Sequence, residues 1–166
     1  MKPKIKLVPK KYAQTLFALK IGLELYYANK SWREDWRNKT SVEYSALKEI
    51  AMATESAIKE GRVFGYFLGQ ELVGYIEYKF LNKDHHSFPN SIFISELFVD
   101  PIARLKGIGK ALVMHVLTID FPCKYKYFSV THCPEEKFLT EYYQKLGFIY
   151  DRVLTSGNIA LIKNRR

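Results

Sequence analysis

Cysteine is scarce in this 166-residue chain, with Cys123 and Cys133 the only two. Two are too few for a disulfide framework, so a reduced, cytoplasmic setting is expected. Long apolar runs are missing as well. No segment reaches the roughly 18 consecutive apolar residues that a bilayer-spanning helix needs, and no membrane partner is expected. The start of the chain, Met1-Lys-Pro-Lys-Ile-Lys-Leu-Val-Pro-Lys-Lys-Tyr12, interleaves Lys throughout and does not read as a signal peptide. Histidine is sparse, and the pairs His85–His86 and His132–Cys133 lack metal-ligand spacing, so they read as exposed loop residues and no metal is expected. Acidic residues are outnumbered, 17 Asp+Glu against 26 Lys+Arg, leaving a formal charge of +9. That surplus suits an anionic partner: nucleic acid, an acidic membrane or a phosphate-bearing cofactor.

What the chain does have is apolar and aromatic mass, 48% hydrophobic with 12 Tyr and 11 Phe. This suffices for one sizeable core, and residues 1–166 read as a single domain. A short strand is expected at Ile5–Val8. Apolar spacing at Tyr12, Leu16, Leu19 and Leu23 predicts an amphipathic helix, and a second helical pattern runs from Ser41 to about Glu60, stopped by Gly61. Arg62–Leu68 and Glu71–Phe80, joined at Gly69-Gln70, read as a β-hairpin. Leu81–Asn90 reads as a loop, Ile92–Val99 as a strand, and Leu105–Ile119 as a helix broken by Pro122. Tyr125–Thr131 reads as a strand, and Pro134 with Glu135 and Glu136 starts a helix that ends at Gly147. Phe148–Leu154 and Ile159–Ile162 close the chain as a strand pair. The order is mixed α/β, and its hairpins exclude a purely parallel sheet.

The most informative segment is Ile94-Ser-Glu-Leu-Phe-Val-Asp-Pro-Ile-Ala-Arg-Leu-Lys-Gly-Ile-Gly-Lys-Ala-Leu-Val113. A strand leads through a basic loop into Gly107-Ile-Gly109 and an apolar helix. Glycines allow backbone N–H groups to approach a ligand, and a helix N-terminus adds positive potential. Arg104, Lys106 and Lys110 add full charges, making an anion cradle suited to a phosphate or diphosphate. A Rossmann fingerprint fails because position 112 is Leu rather than Gly. A Walker A loop fails because Arg104 and Ala111 stand where Gly and Ser or Thr are needed. Taken alone, the glycine pair reads equally as a helix-starting turn with solvated lysines.

Val99-Asp-Pro101 followed by Arg104-x-x-Gly107-x-Gly109 resembles the coenzyme A-binding motif of the GNAT N-acetyltransferase superfamily. Downstream, Tyr142-Tyr-Gln-Lys-Leu-Gly-Phe148 is similar to the same family's Leu-Tyr-Glu-Lys-Leu-Gly-Phe ending. The resemblance covers about residues 62–162. It implies a mostly antiparallel, partly splayed mixed sheet of six to seven strands, flanked by about four helices. It also implies an enzyme that takes an acetyl group from acetyl-CoA. By the same resemblance, Leu97, Phe98 and Val99 would line the cofactor's pantetheine arm through main-chain groups, with Ser129–Thr131 across the splay. The diphosphate loop would comprise Arg104, Leu105, Lys106, Gly107, Ile108, Gly109 and Lys110.

Tyr143 stands where the family tyrosine protonates the departing thiolate, beside the cofactor, although it could instead simply pack like Tyr142. Glu96 alternates with Ile92, Ile94 and Phe98. Its carboxylate therefore lies on a largely apolar strand face, where desolvation would favour a general base; it reads equally as a carboxylate paired with Lys or Arg. Family members often carry Asn seven residues before the tyrosine and a small residue three positions further on; here Glu136 and Leu139 stand there.

The resemblance places acceptor specificity on Tyr26, Tyr27, Trp32, Trp36 and the loop from Lys83 to Ser87. Glu24, Glu34, Asp35 and Glu43 could meet a cationic acceptor, but they read better as a solvated mixed-charge face. The expected partner is an amine-bearing acceptor, a small amine or a protein amine, and a homodimer is compatible with the sequence. Two other readings stand beside this one. One is a basic nucleic-acid-binding module built on Trp32, Arg33, Trp36 and Arg37, which lacks a recognisable nucleic-acid motif. The other is a non-catalytic acyl-CoA-binding regulator, against which Tyr143 argues.

Overall fold

The computed structural model describes residues 3–30 and 44–165. Its elements are β1 (Lys4–Leu7), α1 (Ala13–Lys30), α2 (Tyr44–Lys59), β2 (Val63–Leu68), β3 (Glu71–Leu81), β4 (Ser91–Val99), α3 (Ile108–Leu117), β5 (Tyr127–His132), α4 (Lys137–Lys145), β6 (Ile149–Val153) and β7 (Ile159–Asn164). The seven strands form a sheet in the order β1-β2-β3-β4-β5-β7-β6. β1 pairs antiparallel with β2, and β7 pairs antiparallel with both β5 and β6, while β4 and β5 run parallel. The sheet is thus mixed, with three of these four pairings antiparallel, and four α-helices accompany it among the described residues, as the resemblance implies.

Compactness divides the chain into two units, residues 1–76 with 97–112, and residues 77–96 with 113–166. The core of the first is the cluster of Val8, Leu16, Leu19, Leu23, Ala57, Val63, Phe67, Leu72, Tyr75 and Phe98. Leu16, Leu19 and Leu23 are the apolar stripe that the spacing predicts for α1; Tyr12 falls in a short 3-10 turn ahead of it and packs against this core. In the second unit Phe128, Val130, Tyr143, Phe148, Ala160 and Leu161 are buried. There the ladder between β4 and β5 runs from Ser91↔Tyr127 to Ile94↔Val130. On its other edge β5 pairs with β7 along its whole length, from Tyr127↔Asn164 to His132↔Ile159.

Several element boundaries differ from expectation, those of β1 and β7 among them, and three bear on the site. α3 begins at Ile108 rather than Leu105, because Leu105 (φ 63°) and Gly107 (φ 74°) hold left-handed backbone that a right-handed helix cannot include. β5 begins at Tyr127, because Tyr125 N donates to Pro122 O in a turn and Lys126 N donates to Asn90 O. α4 begins at Lys137, with Glu136 at its N-cap position but making no side-chain capping bond.

Candidate active site

In the first unit, the end of β4 passes into a turn built by Asp100. Its side-chain Oδ1 accepts from Ile102 N at 2.9 Å, its carbonyl accepts from Ala103 N, and its own N–H donates to Val73 O. Pro101 sits at the first position of this turn, where its missing N–H costs nothing. The turn delivers Arg104, whose Nε donates to Val99 O at 2.9 Å. The guanidinium stands 5.2 Å from the Tyr26 ring and 5.4 Å from the Phe98 ring. Arg104 therefore ties the end of β4 to α1 within this unit, a structural duty that the motif alone does not reveal.

Next comes Leu105, a non-glycine residue in the left-handed region with its side chain fully in solvent, at 106% relative exposure. Nothing buried rewards that conformation, and backbone of this kind concentrates at ligand-holding turns. Gly107 follows, also left-handed, with no atom within 4 Å of where a Cβ would stand. Ala111 N is bonded to Gly107 O at 3.0 Å, closing the first turn of α3. The N–H groups of Ile108, Gly109 and Lys110 precede it and have no intrahelical acceptor. Lys106 and Lys110 are exposed on either side. Open space, outward N–H groups and two lysines fit a diphosphate.

The second unit carries Glu96 and Tyr143. Glu96 is half-buried on β4, on the face where Ile92 and Ile94 are buried, and the neighbouring Ser95 Oγ donates to Glu77 O at 3.3 Å. Glu77 itself is 2% exposed in the middle of β3. Its only sequence signal is a single acid inside the apolar run Leu72-Val-Gly-Tyr-Ile-Glu-Tyr78, which periodicity does not single out. Tyr143 is 5% exposed on α4, its ring edge-on to Tyr142 at 5.1 Å and to Phe148 at 5.5 Å. Its carbonyl accepts from Leu146 N and Phe148 N, and left-handed Gly147 (φ 85°) completes the turn that ends α4. Leu-Gly-Phe thus serves to seat the tyrosine.

His132 corrects an expectation. Far from being an exposed loop residue, it is 4% exposed at the end of β5. Its Nδ1 bonds Cys133 O at 2.8 Å and its Nε2 meets Thr140 Oγ1 at 2.9 Å. Cys133 is half-buried, and burial, reinforced by Glu136 and Glu135, pushes its thiol pKa up. With both ring nitrogens of His132 engaged elsewhere, nothing here makes a reactive thiolate. In the loop after β3, His85 Nδ1 accepts from Phe88 N at 3.0 Å, and Arg152 donates to Ser87 O. Tyr26 and Tyr27 meet edge to face on α1. Trp32, Arg33, Glu34, Asp35, Trp36, Arg37 and Glu43 lie outside the described residues.

Residues 26–148 match the acetyltransferase (GNAT) family. The chain belongs to that family. No curated protein gives a significant match. Among solved structures, the chain is similar to the paia N-acetyltransferase of Thermoplasma acidophilum in complex with coenzyme A, at 18% identity, 99% coverage of each chain and TM-score 0.73. It is similar to a ribosomal-protein-alanine N-acetyltransferase from Brucella melitensis, at 17% identity, 97% coverage of this chain and 99% of the other, and TM-score 0.72. A third is yncA of Salmonella typhimurium, solved with acetyl-CoA, at 13% identity, 100% and 95% coverage, and TM-score 0.71. At these identities the likeness is one of fold, and this acetyltransferase shares it along nearly its whole length. Among the described residues, no helix is long and apolar enough to cross a membrane.

Proposed function

We propose that this single-domain acetyltransferase moves an acetyl group from acetyl-CoA directly to a primary amine. The observation that carries the reading is the turn from Asp100 to Gly109. Two left-handed residues, one of them a fully exposed leucine, present the N-terminus of α3 and two lysines to an open space. Structural neighbours solved with coenzyme A and acetyl-CoA support the same cofactor. The N–H groups of Ile108, Gly109 and Lys110, with Lys106 and Lys110, hold the diphosphate. Leu97, Phe98 and Val99 offer main-chain groups to the pantetheine arm, and Arg104 and Leu105 fix the loop.

Acetyl-CoA supplies the activated thioester carbonyl. A protonated amine, of pKa about 10.4 when free, must first lose a proton, and Glu96 takes it directly or through a water. The amine nitrogen bonds to the carbonyl carbon and the carbon–sulfur bond breaks. The Tyr143 hydroxyl gives its proton to the leaving sulfur, and the phenolate regains one from the attacking nitrogen, which sheds its second proton as the amide forms. The products are an amide and free thiol, with no covalent acyl-enzyme. The raised pKa of Cys133 supports that last point.

Thermal unfolding with acetyl-CoA, duplex DNA or single-stranded DNA tests the partner. Stabilisation by acetyl-CoA is expected; a shift with DNA and none with acetyl-CoA would sink the enzyme reading. A panel of amines followed by thiol release then identifies the acceptor. Tyr143→Phe is expected to lower turnover by about a hundredfold, the lower end for a positioned acid. Binding of acetyl-CoA with no thiol release for any amine favours the non-catalytic regulator.

A further inference from the structure

Within the second unit, one buried polar group that the proposed chemistry leaves unused is His132. A carbonyl oxygen can only accept, so the 2.8 Å contact with Cys133 O requires the proton on Nδ1. In the neutral ring Nε2 is then an acceptor, and the Thr140 hydroxyl donates to it at 2.9 Å. Cys133 O also accepts from Glu136 N at 3.0 Å, so one carbonyl gathers the end of β5 and the entry to α4. Thr140 lies one turn before Tyr143 on α4, and residues three apart share a helix face.

α4 needs such a tie. It has nine residues, and its N-cap position makes no side-chain capping bond. Its C-terminal end is fixed by the turn at Gly147, where Gly147 N donates to Gln144 O and Phe148 N to Tyr143 O. The imidazole bond to Thr140 ties the middle of α4 to the end of β5. We propose that His132, through Thr140, is a positioning residue for Tyr143: it sets the rotation of α4 and so the place of the phenol. This rests on Tyr143 being the acid of the proposed reaction.

Thr140→Val removes the hydroxyl and keeps the side-chain shape. It is expected to lower kcat about tenfold, within the range that small misplacements of catalytic groups produce. The KM for acetyl-CoA stays unchanged, and Thr140→Ser restores kcat. In a Tyr143→Phe background the same substitution has no further effect, because the group being positioned is gone. Should Thr140→Val fold poorly, His132→Asn is read in the same way, since its amide keeps the Cys133 bond but falls short of Thr140. Unchanged kcat in a folded variant, or an undiminished loss in the Tyr143→Phe background, overturns the positioning role while leaving the acid in place. Unchanged turnover in Tyr143→Phe alone removes the acid and the positioning role with it.

Discussion

The Tyr142 hydroxyl is buried with no hydrogen-bond partner, and burial pushes its pKa up to about 12. An unsatisfied buried hydroxyl costs stability, so Tyr142→Phe is expected to stabilise the fold by about 1 kcal/mol in urea titrations near pH 7. The linkage has a definite sign. The unfolded phenol ionises near pH 10 and the folded one near 12, so the folded state holds its proton longer. The phenol's share of stability is complete below pH 10 and is lost as pH rises toward 12. Between those limits wild type should lose stability faster than Tyr142→Phe, and parallel curves would refute the assignment. Tyr143, one residue on, is expected to cost turnover when its hydroxyl is removed. Nothing in Tyr142-Tyr-Gln-Lys-Leu-Gly-Phe148 separates two adjacent tyrosines by burial; only the helix rotation does. The cysteines divide in a similar way. The raised pKa of Cys133 predicts slower alkylation at pH 8 than at exposed Cys123, measured by peptide mapping.

Among the elements, the turn between β4 and α3 was visible in the sequence through Val99-Asp-Pro101 and the glycines, but its shape was not. Helical periodicity runs back to Leu105, because leucine is a good helix former, and tertiary demand overrides that preference. Arg104 read as a free cation for the same reason: its bond to Val99 O comes from the fold of the turn and leaves no trace in residue spacing. His132 was misplaced because β5 extends one residue beyond Thr131, which carries the imidazole inside. Gly107 offers the clearest test of the turn. With nothing near a Cβ there, Gly107→Ala meets no clash and its cost is conformational, about 1 to 2 kcal/mol for an L-residue held left-handed. Chemical denaturation should show that loss, and the KM for acetyl-CoA should rise as the α3 N–H groups shift. A stability loss with an unchanged KM would separate the turn from cofactor binding.

For the molecule as a whole, hairpin signals, helix stops and the apolar stripe of α1 were enough to place the elements. Strand order was not legible, since placing β7 between β5 and β6 depends on pairings across more than twenty residues. The surplus of +9 was legible but ambiguous. The turn bears on it, because the Arg104 Nε already serves Val99 O, while Lys106 and Lys110 are exposed and are the cations proposed for the diphosphate. Exposed charges are screened over about 10 Å at 0.1 M salt, so acetyl-CoA affinity should weaken as salt rises. Calorimetric titration from 0.05 to 0.5 M salt (roughly the span over which the Debye length falls from about 14 to about 4 Å) should show a several-fold loss for wild type. The Lys106→Gln, Lys110→Gln double variant should bind more weakly at low salt and show a flatter dependence. If both proteins show the same slope, the diphosphate is held by backbone N–H groups alone and the charge surplus serves some other anion. If the double variant instead flattens the curve, those two lysines account for the part of the surplus that acts on the cofactor, and the rest is surface charge acting only through the long-range field.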